Sequence, residues 1–143
     1  MSVIAAFAVP HPPVIVPEVG RGEEKKIAQT TAAYEDAMRR VSVLQPRTVV
    51  VTSPHSAMYA DYFHISPGGF ARGDFGRFRA ENVRVSVDCD KEFAAELCAQ
   101  TKKAGVAAGT FGQTDPDLDH GTMVPLYFLN KFCNNTFSIQ KLK

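Results

Sequence analysis

The sequence has few cysteines and almost no net charge, and each of these shortages excludes a class of protein. Among its 143 residues, the three cysteines form no CxxC pair and cannot all pair within one chain. This excludes a disulfide scaffold and a zinc ribbon, and free thiols favour a reducing cytoplasm. The 16 basic and 15 acidic residues leave a formal net charge of +1, so no global field attracts nucleic acid or an anionic membrane.

The chain also lacks long apolar runs, since none approaches the roughly 20 residues that a membrane span needs. The apolar stretch Val3–Val9 has no basic flank and no small-residue cleavage site, so we predict no signal peptide. Hydrophobic residues make up 45% of the chain and charged residues 22%, close to average globular usage. We therefore expect one cytoplasmic domain, residues 1–143, with neither nucleic acid nor membrane as a partner.

Apolar runs and a periodic segment alternate along the chain in an order typical of an α/β fold. Val3–Val9 and Thr48–Thr52 are short apolar runs, and both predict strands. Between them, Glu23–Leu44 has apolar residues at spacings of three and four, which predicts a helix. Strand, helix and strand form a βαβ unit with parallel strands. We predict a mixed, mostly parallel central sheet with flanking helices, of the three-layer α/β type.

Shorter elements are predicted downstream of this unit. The predicted strands are Tyr62–Ser66, Val83–Val87 and Thr136–Ile139, and the predicted helices are Asp90–Ala104 and Thr122–Phe132. The glycine-rich segment Pro67–Ala80 between two of these strands is predicted to be a lid or a structural loop.

Two of the four histidines follow the first two predicted strands at matching places. His11 comes directly after the first strand, and His55 ends the Ser53-Pro54-His55 segment after the second. Because the carboxyl ends of parallel strands lie at one edge of a sheet, we expect the two imidazoles to meet there. Prolines beside both histidines stiffen their loops, as a metal ligand requires. This placement favours a metal site over two ordinary loop residues.

The other two histidines have different surroundings. His120 lies at the start of the last predicted helix, where Asp119 can orient an imidazole and the helix N-terminus can stabilise negative charge. On composition alone, a polar residue without a chemical role is an equally good interpretation of His120. His64 lies in the apolar stretch Tyr62–Ile65 and is predicted to be a packed or edge-strand histidine.

Three motifs occur in order along the chain, at Ala8–Pro13, Val50–His55 and Leu118–Leu126. Together they resemble the B-type proteins of the class III extradiol ring-cleavage dioxygenase superfamily. Within that superfamily the chain is most similar to the branch linked to the AmmeMemoRadiSam system, which includes Memo-like proteins. The resemblance extends to about Asn130.

The resemblance implies a non-haem Fe(II) held by two histidines and a carboxylate, with open positions for a catecholate and O₂. His11 and His55 match the two histidine ligands, and His120 matches a histidine that can orient substrate or move protons. Family members are much longer and carry the third ligand in their C-terminal half. The chain is therefore expected to be the N-terminal portion of such a domain, C-terminally truncated, with Glu18 as a possible substitute ligand.

The function implied by the resemblance is extradiol cleavage of a catecholic aromatic, with that small aromatic and O₂ as partners. Two other classes stay open: a Memo-like, non-enzymatic binding module with an incomplete metal pocket, and a hydrolase that uses Zn²⁺ and water. Two histidines alone suit Fe, Zn, Cu or Ni, so the sequence does not choose the metal. An incomplete sheet exposes an edge, which favours a homo-oligomer or a complementing chain.

Overall fold

The computed structural model describes residues 2–55, 57, 59–112, 116–133 and 136–143. Within these residues, the α-helices are α1 Pro17–Gly20, α2 Ala28–Val43, α3 Lys91–Lys103 and α4 His120–Cys133. The strands are β1 Thr48–Thr52, β2 Phe63–His64, β3 Phe70–Phe75, β4 Ala80–Asp88, β5 Ala108–Gly109 and β6 Ser138–Leu142. Short 3₁₀ helices cover Pro13–Ile15, Glu23–Ile27 and Gly76–Phe78. Helices and strands thus alternate, which confirms the α/β class.

The strands that the structure describes pair two by two. β1 pairs in parallel with β6, β2 in parallel with β5, and β3 antiparallel with β4. Backbone hydrogen bonds link these pairs through β6. The amide of Asp90 donates to Ile139 O, and the amide of Ser66 donates to Lys141 O. The result is a mixed arrangement in which parallel pairing predominates, as predicted.

The predicted first strand is wrong. Val3–Val9 has no regular secondary structure, and the side chains of Val3 and Ile4 are 88% and 63% exposed. β1 has β6 as its parallel partner instead, so the predicted βαβ unit is absent. Residues 2–9 and β1 line a common cavity of about 1180 Å³. An apolar run becomes a strand only when a neighbouring backbone pairs with it, and composition alone does not supply that neighbour.

The glycine-rich segment Pro67–Ala80 is a strand and a 3₁₀ turn rather than a loop. Ala71 and Phe75 of β3 are buried on the core face, and Gly73 lies between them in the alternation. A Cβ at Gly73 would lie 3.0 Å from the carbonyl oxygen of Leu118, so the close approach of the next segment requires glycine. Small residues on the buried face weakened the alternating signal, which is why the strand was missed.

The core lies around α4, the helix that begins with His120. Its buried residues are Gly121, Thr122, Met123, Val124, Leu126, Phe128, Leu129 and Cys133. Phe128 packs on Tyr34 of α2, with 4.8 Å between the ring centroids. No helix in the described part of the chain is long and apolar enough to cross a membrane. Because α4 is held on several sides, the position of its first residue, His120, is set by the core.

Asp90 ties the start of β1 to the start of α3. Its carboxylate accepts hydrogen bonds from the Phe93 amide at 2.9 Å and from the Thr48 hydroxyl at 2.5 Å. The bond from Thr48, followed by the bond from Phe93, holds the pKa of the Asp90 carboxyl below its ordinary value. The stabilisation from the ionised form is therefore complete above the ordinary carboxyl pKa of about 3.9, and it is lost as the pH falls through the lower folded-state pKa.

Replacing Asp90 by alanine should lower the free energy of unfolding by about 1–2 kcal/mol at neutral pH, because a helix cap and a bond to β1 are lost together. Urea unfolding of the variant and the native protein at neutral and strongly acid pH measures this. The difference between them should shrink in acid, where the native carboxyl is also protonated. An equal difference at both pH values would contradict the assignment.

Candidate metal centre

Three histidines from distant parts of the chain lie together just beyond the carboxyl end of β1. The Nε2 atoms of His11 and His55 are 2.9 Å apart. The His120 ring lies 4.1 Å from the His55 ring and 5.9 Å from the His11 ring, centroid to centroid. One nitrogen from each ring falls within 4.8 Å of the other two, so the three imidazoles can reach one ion. His55 is exposed, and the other two are half-buried.

Each histidine is positioned by a different local element. His11 precedes the 3₁₀ helix Pro13–Ile15, where Ile15 is fully buried and anchors the proline-rich segment. His55 follows β1 after Ser53 and Pro54, and His120 is the first residue of α4. The structure brings His11 and His55 together as the sequence predicted, although a buried turn takes the place of the predicted first strand. Their role as metal ligands stays a prediction.

Ser53 and Asp119 form a hydrogen-bonded link beneath the rings. The Ser53 hydroxyl donates to Asp119 Oδ1 at 2.5 Å, and it accepts from the His55 amide at 3.3 Å. The amide and hydroxyl of Thr122 each donate to the Asp119 carboxylate at 3.1 Å. The carboxylate therefore caps α4 and holds the loop that carries His55.

Gly121 allows this close packing. A Cβ at Gly121 would lie 3.0 Å from Asp119 Oδ1 and 3.0 Å from Cδ2 of the His55 ring, and it would also collide with the Ser53 hydroxyl. The loop after β1 and the first turn of α4 can approach this closely only because residue 121 has no side chain.

The environment of His120 favours its neutral form. Burial lowers the pKa of the His120 imidazole, and the neighbouring His55 lowers it further, while Asp119 acts in the opposite direction. The Phe78 ring stands edge-on to the His120 ring at 5.4 Å and covers one side of it. A neutral imidazole can donate a lone pair to a metal or accept a proton.

Glu18 and His64 lie outside this cluster. In the part of the chain that the structure describes, the group of side chains able to hold an ion consists of the three histidines, without Glu18. The Glu18 carboxylate instead accepts a hydrogen bond from the Tyr127 hydroxyl at 3.2 Å. His64 is fully buried and stacks on Tyr59 at 5.3 Å, which confirms the predicted packed histidine.

Ser53, Gly121 and Phe78 were not predicted to belong to the site. Ser53 and Gly121 lie inside the two motifs that carry His55 and His120, so proximity in sequence was an available signal. Phe78 lies on the 3₁₀ turn after β3, and no local pattern connects it with His120. Its contribution depends on tertiary packing alone.

Comparison with known proteins gives two matches. The family model of the catalytic LigB subunit of aromatic ring-opening dioxygenase matches residues 5–142. Protein CA_C1420 of Clostridium acetobutylicum is 37% identical over 139 residues. That match covers 92% of this chain and 30% of the other protein, so the chain spans less than a third of the length of this curated relative.

Proposed function

The chain belongs to the family of the catalytic LigB subunit of aromatic ring-opening dioxygenases, and from this membership we propose that it carries the metal centre of a non-haem, Fe(II)-dependent extradiol dioxygenase. The observation that supports the proposal is the convergence of His11, His55 and His120. Their nitrogens are close enough for one ion, and neutral imidazoles suit Fe(II). Bound Fe(II) would supply the redox chemistry with O₂ and a catecholate.

In this proposal His11 and His55 bind the metal, and His120 handles a proton of the substrate. The lowered pKa of His120 keeps its imidazole neutral near pH 7, so it can accept a proton from a catechol hydroxyl. Phe78 beside His120 shields the ring from water. The side chains of this chain thus supply orientation and proton transfer.

Room for an aromatic substrate exists next to His11. His11 lines the cavity of about 1180 Å³ together with apolar residues of β1 and α4, including Val51 and Leu126. Its volume is above the range of about 300–1,000 Å³ typical of small-molecule pockets, and its apolar walls suit an aromatic ring. The family description likewise supports a small aromatic substrate with O₂.

A second candidate function is a Zn²⁺-dependent hydrolase. It is favoured by the same donor set, because three histidines within 4.8 Å of one another match a three-ligand zinc site with water in the fourth position. His120 would then be the third ligand rather than the proton acceptor.

Membership in the Memo-like branch remains a proposal, as does a role as a binding module with an incomplete metal pocket. The short span relative to the Clostridium protein supports the second idea. A homo-oligomer or complementing chain would supply a missing ligand in either case. The free thiols of Cys89, Cys98 and Cys133 fit a reducing, cytoplasmic location.

Anaerobic loading with Fe(II), followed by a catechol and O₂, tests the leading proposal. We expect oxygen consumption together with absorbance from a ring-opened product, because O₂ is incorporated during cleavage. The control is His11→Ala protein, which should give neither signal. Ester hydrolysis by Zn²⁺-loaded protein without oxygen uptake would favour the hydrolase. Tight metal binding with neither activity would favour the binding module.

A further inference from the structure

A hydroxyl–carboxylate hydrogen bond lies at each end of β1. At its start, the Thr48 hydroxyl donates to Asp90, which caps α3. Just beyond its end, the Ser53 hydroxyl donates to Asp119, which precedes α4. Both bonds measure 2.5 Å, and both join the strand to a helix N-terminus. The two links therefore use the same chemistry, and what separates them is that the second adjoins the three histidines.

The link at Ser53 joins the backbone segments that carry two of these histidines. The Ser53 oxygen accepts from the His55 amide, so it holds the turn that presents the His55 ring. Asp119 is the residue before His120, and its carboxylate also binds the amide of Thr122 in the first turn of α4. A continuous path of hydrogen bonds thus runs from the backbone of His55 to the start of the helix that carries His120.

The Asp119 carboxylate faces this link and the helix. Its Oδ1 accepts from Ser53 and from the Thr122 amide, and its Oδ2 accepts from the Thr122 hydroxyl. The donor group for a metal in this region is formed by histidine nitrogens and does not include Asp119. Asp119 therefore has the geometry of a residue that acts through its neighbours.

We propose that Ser53 and Asp119 are positioning residues that hold His55 and His120 at the separation one metal ion requires. This inference rests on the proposed function, because it assumes that the histidine cluster binds a metal. A ligand set held in place before binding loses less conformational freedom when the ion arrives. Residues that support metal ligands in this way typically change metal affinity by about 10–100-fold when they are replaced.

The test is titration of the purified protein with Co²⁺ alone, followed by visible absorption, in matched variants. Ser53→Ala should weaken Co²⁺ binding by about 10–100-fold. Thr48→Ala breaks the equivalent bond at the other end of β1 and should leave the affinity within about twofold, since distant sites act independently. Both variants should lower the urea midpoint to a similar extent, which shows that stability alone does not account for the difference.

Asp119→Asn provides a second variant in case Ser53→Ala does not fold. Asparagine caps a helix about as well as aspartate, but it weakens the charge-assisted bond from Ser53, so Co²⁺ binding should fall several-fold with the helix retained. Equal affinities for the native protein, Ser53→Ala and Asp119→Asn would overturn the inference while leaving the proposed function standing. Failure of the native protein to bind Co²⁺ would overturn the metal centre itself.

Discussion

Replacing His55 by alanine should weaken Fe(II) or Zn²⁺ binding by more than about 100-fold, beyond the cost typical of residues that only support ligands. The reason is geometric. The His55 ring lies between the other two, with its Nε2 2.9 Å from that of His11 and its centroid 4.1 Å from that of His120. Its removal leaves two rings that are 5.9 Å apart, centroid to centroid. Isothermal titration under anaerobic conditions measures the change.

His64 provides the matched control, because it is the histidine that the fold separates from the cluster. Neither ring nitrogen of His64 has a hydrogen-bond partner among the residues that the structure describes. His64→Phe should retain native metal affinity and raise the free energy of unfolding by about 1 kcal/mol, since it removes unpaired polar atoms and keeps an aromatic ring beside Tyr59. Equal metal affinities in His55→Ala and His64→Phe would exclude the proposed centre.

The same control carries a pH signature. Burial lowers the pKa of His64, with Lys143 and Lys141 adding to the effect. A lowered folded-state pKa means that the unfolded chain binds the proton more readily, so stability falls as the pH drops below the ordinary histidine value of about 6.5. His120 acts in the same direction. The His64→Phe variant should therefore lose part of this acid dependence and keep the remainder.

Replacing Phe128 by alanine should lower the free energy of unfolding by about 3–5 kcal/mol. Phe128 is fully buried, with ring centroids 4.8 Å from Tyr34 and 5.2 Å from Tyr127. Its truncation leaves a cavity between α2 and α4, and these helices cannot close over it without moving the rest of the core. A loss of this size is a large part of the roughly 5–15 kcal/mol that stabilises a typical domain.

Phe111→Ala is the matched control for this prediction, because the Phe111 side chain is 86% exposed. The control should change the free energy of unfolding by no more than about 0.5 kcal/mol. Urea unfolding of both variants measures the contrast. Similar destabilisation by the two substitutions would mean that α4 does not form the core described above.

Elements with a strong local pattern could be predicted from the sequence. The strand Thr48–Thr52 has the predicted bounds, because a run of β-branched residues limits the backbone wherever it is buried. The predicted helix Asp90–Ala104 is observed as Lys91–Lys103 with Asp90 as its cap. In these segments, neighbouring residues along the chain determine the conformation.

Elements that depend on a distant partner could not be predicted in the same way. Val3–Val9 is as apolar as a strand, yet within the described residues β1 pairs with β6 and leaves this segment without a ladder. Conversely, Phe70–Phe75 has a weak pattern but becomes a strand because β4 lies beside it. Strand formation is a property of two segments, and the sequence of one specifies only half of it.

The candidate site divides along the same line. The sequence by itself determined which residues carry the chemistry, because His11, His55 and His120 lie in motifs whose prolines and helix start restrict the local backbone. Only the tertiary structure decided that all three imidazoles share one point, that Ser53 and Asp119 join two of their segments, and that Glu18 lies outside the group. Ligand identity is a local chemical property, whereas ligand distance follows from the packing of elements that are far apart in the chain.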